Sequence, residues 1–286
     1  GSAGLQFLTM LETKIYMGRL LEFYTQAAAD TMRGIYGMTQ TIFNMPCAFI
    51  TPITISIIPA ITSQLTLNNH KEVRATEESA IRVMALISMP CAFGLGVLAE
   101  PVTALLGGYT GADLTLSTTL MSIMGFNIIF NAIVLLTNAM MQAHGHANIP
   151  VVNMLGSGVV KLLVVYILSG NPAIGILGAP IGTVLCNLCI AVLNLIAMGR
   201  CIPQKPNVAA NFLRPLLPAL LMGGVAFGVW KGLTVLGITS RLLLCGVPIA
   251  IAGVTYLVAV VLCKTITRED CLLLPKGEKI AKILHF

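Results

Sequence analysis

Apolar residues in this chain come in long runs, not in the short amphipathic spacing of a soluble helix or strand. Runs near 1–20, 36–65, 80–106, 115–142, 149–169, 173–198, 213–237 and 241–263 each supply the about 20 mainly apolar residues that a helix needs to cross a bilayer. Eight spanning helices are therefore expected, and the fold class is an all-α integral membrane protein, a polytopic helical bundle. Polar residues interrupt these runs at helical spacing. In the second run, YGMTQTIFNMPCAFITPITISIIPAITS from Tyr36 to Ser63, the residues Tyr36, Gln40, Asn44, Cys47, Thr51 and Thr54 fall within roughly 80° of one another on an ideal helix. Pro46, Pro52 and Pro59 each remove a backbone donor and clash one turn back, so a bend is expected there. The fourth run repeats the stripe with Asn127, Asn131, Asn138 and Gln142, the fifth with Asn153, Ser157 and Lys161, and the sixth with Thr183, Asn187 and Asn194. An interhelical hydrogen bond is reason enough for any single asparagine. Four stripes in one bundle are better explained by a shared polar cavity.

Charge sharpens this picture. The first run carries Glu12 and Lys14, with Arg19 near its far end. A charge at the bilayer centre costs at least about 2.5–3.5 kcal/mol on insertion scales. Two residues apart on a helix, Glu12 and Lys14 face opposite ways, so each is expected to find its own partner, in an ion pair or in a substrate cavity. Lys161 is likewise expected beside a carboxylate, a carbonyl cluster or an anionic ligand. Runs seven and eight are different, with almost no polar side chain in mid-span and a small-residue face at Gly224, Gly228 and Gly232. They read as an appended pair beside a six-helix lobe. The stretches 20–33 and 66–79 read as solvated connections, the second helical and leading into the third run, and Glu100 as reaching the interface.

At 56% hydrophobic and 10% charged, with a mean hydropathy of +0.89, the chain is excluded from ordinary soluble domains, where about a quarter of residues are charged. The cations cluster in alternate connections, 71–82, 200–214 and 264–282, which places those connections and the C-terminus in the cytoplasm. The net charge of +6 thus reads as topology and attraction to anionic lipid, not as a nucleic-acid footprint. Eight cysteines are scattered through the runs and read as small buried residues, and His144 and His146 as loop residues without a third metal ligand. No metal or cofactor is expected. From Asp113 to Glu269 no Asp or Glu intervenes, which disfavours ion coupling and general acid–base hydrolysis within that stretch. No nucleophile elbow or phosphate loop appears, so an enzyme is not expected. The chain opens without Met inside an apolar run and is expected to be the C-terminal portion of a longer protein.

Several stretches together carry a family resemblance: LETKIYMGRL (11–20), the whole of 36–63, PCAFGLGVLAEPVTALL (90–106), NAMMQAHGHANIPVVNMLGSGVVKLLVVYIL (138–168) and NPAIGILGAPIGTVLCN (171–187). The sequence resembles the C-terminal half of the polysaccharide exporters and lipid-linked sugar flippases, in the superfamily that also holds the MATE drug exporters. It looks most like stage V sporulation protein B and its relatives, which are similar in turn to the lipid II flippases. The resemblance implies a fourteen-helix fold of two six-helix lobes around a cationic cavity, with two extra helices forming a lipid-facing groove. This chain would supply the second lobe (1–200), the extra pair (201–264) and a basic cytoplasmic tail (265–286), with an N-terminal lobe as its partner. By position, Lys14 matches a cavity charge of the family, Lys161 matches the lysine of its VK-type motif, and Glu12 stands where relatives often have Asp.

The expected function is a multi-pass flippase of the cytoplasmic membrane. It would move a lipid-linked oligosaccharide or peptidoglycan precursor by alternating access, in polysaccharide, cell-wall or spore-cortex synthesis. Its partners would be the polyprenyl-pyrophosphate headgroup and membrane lipids. The candidate cavity residues are Glu12, Lys14, Tyr36, Gln40, Asn44, Asn127, Asn131, Asn138, Gln142, Asn153, Ser157, Lys161 and Asn187. Two alternatives stand beside it. A cation-coupled multidrug exporter of the same fold would need a dominant cavity carboxylate, and an integral membrane glycosyl- or acyltransferase would need acids or a His–Asp pair at a loop mouth.

Overall fold

The structure, a computed structural model, describes residues 2–203, 206–263 and 265, with side chains described from residue 7 onward. The described chain is helical: α1 (Ser2–Leu20), α2 (Gln26–Thr66), α3 (His70–Val97), α4 (Ala99–Leu106), α5 (Gly111–Ala143), α6 (Asn148–Ser169), α7 (Gly178–Cys201), α8 (Val208–Leu213), α9 (Leu216–Val235) and α10 (Arg241–Leu262). Among the described residues seven segments are long and apolar enough to cross a membrane: α2, α3, α5, α6, α7 with the 3-10 turn before it, α8 with α9, and α10. The expected eighth, α1, does form a helix but falls outside these seven, because Glu12, Lys14, Arg19 and two threonines dilute its apolar character. The tail expected at 265–286 lies, apart from Thr265, outside the described residues.

Two boundaries differ from expectation, each for a local reason. The stretch 20–33 is mostly helix, since Thr25 caps α2 by accepting a hydrogen bond from the Ala28 amide at 3.4 Å. The third run divides at Leu98, leaving α4 as a separate short helix. With 41 residues, α2 is about 60 Å long, twice the hydrocarbon core of a bilayer. It stays helical through Pro46, Pro52 and Pro59. Beside Pro52, the hydroxyls of Thr51 and Thr54 donate back to Cys47 O (3.0 Å) and Thr51 O (2.6 Å), so these two stripe residues settle within their own helix.

Helix α5 is the spine, packed against α2, α3 and α7, while α6 lies on α7 and α1 rests mainly on α6. Small residues set the closest crossings. A Cβ added to Gly125 of α5 would stand 2.7 Å from the Gly96 backbone nitrogen of α3, and one added to Gly182 of α7 would stand 2.6 Å from Val165 Cγ2 of α6. The appended pair α9 and α10 packs on α3 and α4, with Met222, Trp230 and Tyr256 entering the main core and the Tyr256 hydroxyl donating to Leu86 O at 2.8 Å. The close approach falls at Gly223, against Phe93 and Val97, and not on the expected stripe. No described atom lies within 4 Å of a Cβ at Gly224, Gly228 or Gly232.

Connections expected on one side of the membrane do gather at one end of the bundle. There His144 Nε2 meets Glu77 Oε1 at 2.7 Å, and Arg82 Nη1 donates to Asn211 Oδ1 at 3.3 Å. Glu77 is therefore fully buried, not on a solvated face, and His144 is an ion-pair or hydrogen-bond partner, not a free loop residue. At the other end the Tyr24 hydroxyl donates to Pro172 O, and Arg241 donates to Ala104 O.

Candidate functional site

The stripes of α5, α6 and α7 meet, and that of α2 joins them through Cys47. Asn194 of α7 donates to Asn138 Oδ1 (2.7 Å) and Thr137 Oγ1 (3.0 Å) of α5, and accepts from Asn153 Nδ2 of α6 at 2.9 Å. Two turns along, Asn187 Nδ2 donates to Asn127 Oδ1 at 3.0 Å, and Asn131 Nδ2 reaches Cys47 Sγ of α2 at 3.3 Å. The two expectations for the asparagines divide: Asn127, Asn153 and Asn194 are taken up in bonds between helices and do not line the cavity, Asn44 is exposed, and only Asn131, Asn138 and Asn187 do both. Those three border a cavity of about 350 Å³, with Lys161 and Thr183 beside them and Leu8 and Thr9 of α1 on its other wall.

At this cavity stands an ion pair whose carboxylate is buried and whose ammonium is partly exposed. Lys161 Nζ of α6 lies 2.6 Å from Glu12 Oε2 of α1, with Glu12 only 3% exposed. Gly158, one turn before Lys161, lets α1 approach, since a Cβ there would lie 3.0 Å from Leu8 Cδ1. Glu12 Oε1, Ser157 Oγ, Tyr36 Oη and Asn127 Nδ2 are buried without a protein partner. Tyr36 packs edge-on against Tyr16, with ring centroids 6.1 Å apart.

Lys14 points elsewhere, as the opposite faces of α1 dictate. It is exposed in a groove of about 860 Å³ between α1 and the start of α2, where Thr9, Thr13, Gln26, Asp30 and Arg33 also line the wall. Asp30 accepts from Gln26 Nε2 at 3.0 Å. Lys14 and Arg33 outnumber Asp30, so the groove offers an anion two cationic donors and several hydroxyl and amide groups. Arg33 and Asp30 do not stand out in the sequence, because the polar stretch 20–33 reads as a solvated connection. The signal was present in Thr25 ahead of an alanine run, a helix start that carries both onto the first turns of α2. Gln40 is half-buried, and Asn44 and Gln142 are exposed.

A third recess, about 530 Å³, is almost wholly apolar and lies among α2, α3, α4, α9 and α10, with Phe49, Leu95, Val102, Met222 and Ile249 in its wall. Among the described residues no group of three or more His, Cys, Asp or Glu gathers as a metal site would require.

The model of the family described as lipid II flippase MurJ matches residues 23–247. Among solved structures the chain is similar to one described as lipid II flippase MurJ in its inward closed conformation, with a TM-score of 0.61 and 16% identity over 90% of this chain and 52% of that one. It is also similar to a chain described only as protein A, with a TM-score of 0.52 and 17% identity over 91% of this chain and 60% of that one. At such identities the likeness is one of fold, and the chain spans little more than half the length of these solved structures. No curated protein matches it. The family match runs from the loop before α2 into α10, across the asparagine stripes, Lys161 and the appended pair, and on that match the chain belongs to the lipid II flippase MurJ family.

Proposed function

We propose that this chain serves as the second lobe and appended helix pair of a flippase that carries a lipid-linked peptidoglycan precursor across the cytoplasmic membrane. The observation that carries the reading is the groove between α1 and α2, where Lys14 and Arg33 stand open on a face that the rest of the chain leaves uncovered. A sugar–pyrophosphate headgroup cannot cross about 30 Å of hydrocarbon without compensating charge and hydrogen bonds. Lys14 and Arg33 would hold the phosphates, with Thr9, Thr13 and Gln26 bonding the sugar side. The apolar recess beside α9 and α10 suits a polyprenyl tail.

The task is movement, not bond chemistry, so the chain acts as a transporter and not as an enzyme. An N-terminal lobe would close the other wall of the groove, and rocking of the two lobes would expose it to each side in turn. The gathering of the basic connections 71–82 and 200–214 at one end of the bundle supports an orientation with that end in the cytoplasm. The cavity at Lys161 is the inner support of this lobe, and Glu12, Tyr36, Asn127 and Asn153 hold its helices together through Lys161, Tyr16, Asn187 and Asn194.

The test is movement itself. The full-length protein reconstituted in vesicles should transfer a labelled polyprenyl-pyrophosphate sugar between leaflets, and Lys14→Ala should slow the transfer. Vesicles in which the wild type moves none of this lipid, under conditions where it is folded, would overturn the reading.

A further inference from the structure

Glu12 is the carboxylate that an ion-driven cycle in this lobe would have to use. Glu100 is exposed on α4, Asp30 is exposed near the start of α2, Glu77 is taken up with His144 at one end of the bundle, and from Asp113 to Glu269 there is no acid in between. Transporters driven by sodium or protons generally bind and release the ion at a carboxylate inside the membrane. Such a site also needs oxygen donors around the carboxylate, and Asn131, Asn138, Thr183 and Asn187 line the cavity beside Glu12. What does not fit is a cation. The carboxylate already holds the Lys161 ammonium at 2.6 Å, and that ammonium is tethered to α6 through a backbone pinned by the Gly182 crossing. A dissolved ion would have to share one carboxylate with a charge that is covalently part of α6.

We propose that Lys161 is a built-in counter-ion, standing where an exchangeable sodium ion would stand at Glu12, so that this lobe changes conformation without taking up or releasing sodium there. The link between α1 and α6 is then independent of the ionic gradient. The cavity of about 350 Å³ at Lys161 has room for roughly ten water molecules, and Glu12 Oε1 and Ser157 Oγ are buried without a protein partner. Removing the ammonium would leave a buried carboxylate next to a cavity that holds the amide and hydroxyl oxygens of Asn131, Asn138, Thr183 and Asn187, donors that a monovalent cation could use. The inference rests on the chain being a transporter lobe and on nothing about which headgroup is carried.

The experiment is thermal unfolding of the full-length protein in nanodiscs, titrated with sodium chloride against choline chloride at constant ionic strength. Because it reads stability and not transport, its failure is distinct from failure of the flippase reading. The wild type should unfold at the same temperature in both salts. Lys161→Met should unfold about 5–10 °C lower in choline and recover saturably with sodium. Glu12→Gln/Lys161→Met should regain most of the loss and no longer respond to sodium. A saturable sodium stabilisation of the wild type that Glu12→Gln removes would overturn the proposal, as would a Lys161→Met protein as stable as the wild type in choline. Should Lys161→Met fail to fold, the wild type and Lys161→Arg decide the matter: indifference of both to sodium supports the tethered counter-ion, and a saturable response of either contradicts it.

Discussion

Asn194 shows at the scale of one residue how this bundle holds polar groups inside a membrane. Its amide group is fully buried and makes three side-chain hydrogen bonds, to Thr137 and Asn138 of α5 and Asn153 of α6. In lipid there is no water to replace a lost partner, yet such bonds average only about 0.6 kcal/mol each because the separated helices find other partners. Asn194→Ala should therefore lower stability by about 2 kcal/mol, read as a drop in unfolding temperature in nanodiscs, and leave headgroup binding unchanged. Sequence made the stripe legible, since Asn187 and Asn194 stand seven residues apart on one face of α7. It could not say which asparagine meets which, because the relative rotation and depth of two helices are not encoded in the period of either one. The same limit explains why the charges of α1 were foreseen to part company while their destinations were not. Lys14 went to the open groove and Glu12 to Lys161.

Between elements, glycine decides the distances. Gly125 and Gly96 bring the backbones of α5 and α3 together where Ser122 Oγ donates to Gly96 O at 3.2 Å and Phe93 meets Phe126 edge-on at 5.7 Å. A Cβ on Gly125 meets backbone, not a movable side-chain tip, so the helices themselves must separate. Gly125→Leu should cost about 1–3 kcal/mol or more, with the loss visible as a lowered unfolding temperature and increased protease cleavage in the α3–α5 region. Gly224→Leu on the open stripe of α9 is the control, expected to change little. Helix starts were harder to read than helix interiors. The first turns of α2 hide in a polar stretch whose cap, Thr25, is a single residue, and Arg33 was missed with them. Glu77 was misread for the opposite reason: a charged run on α3 looks solvated until the end of α5 and the short helix α8 close over it.

For the whole molecule, composition and run length were enough for an all-helical membrane bundle, while the seventh and eighth runs, expected as an appended pair, send Met222, Trp230 and Tyr256 into the main core. The candidate site was legible in its residue types and only partly in its geometry. Lys14 and Lys161 seemed equivalent cavity charges in sequence, whereas in three dimensions one is open to an anion and the other is spent on Glu12. They should accordingly fail in different ways when mutated. The central claim is that an anionic headgroup is held between α1 and α2, and the most direct measurement is equilibrium binding of a polyprenyl-pyrophosphate sugar to the full-length protein in nanodiscs. The account predicts that Lys14→Ala and Arg33→Ala each weaken binding about 10- to 100-fold with folding intact, the loss expected for one charge-assisted contact. Unchanged affinity in both variants would contradict it.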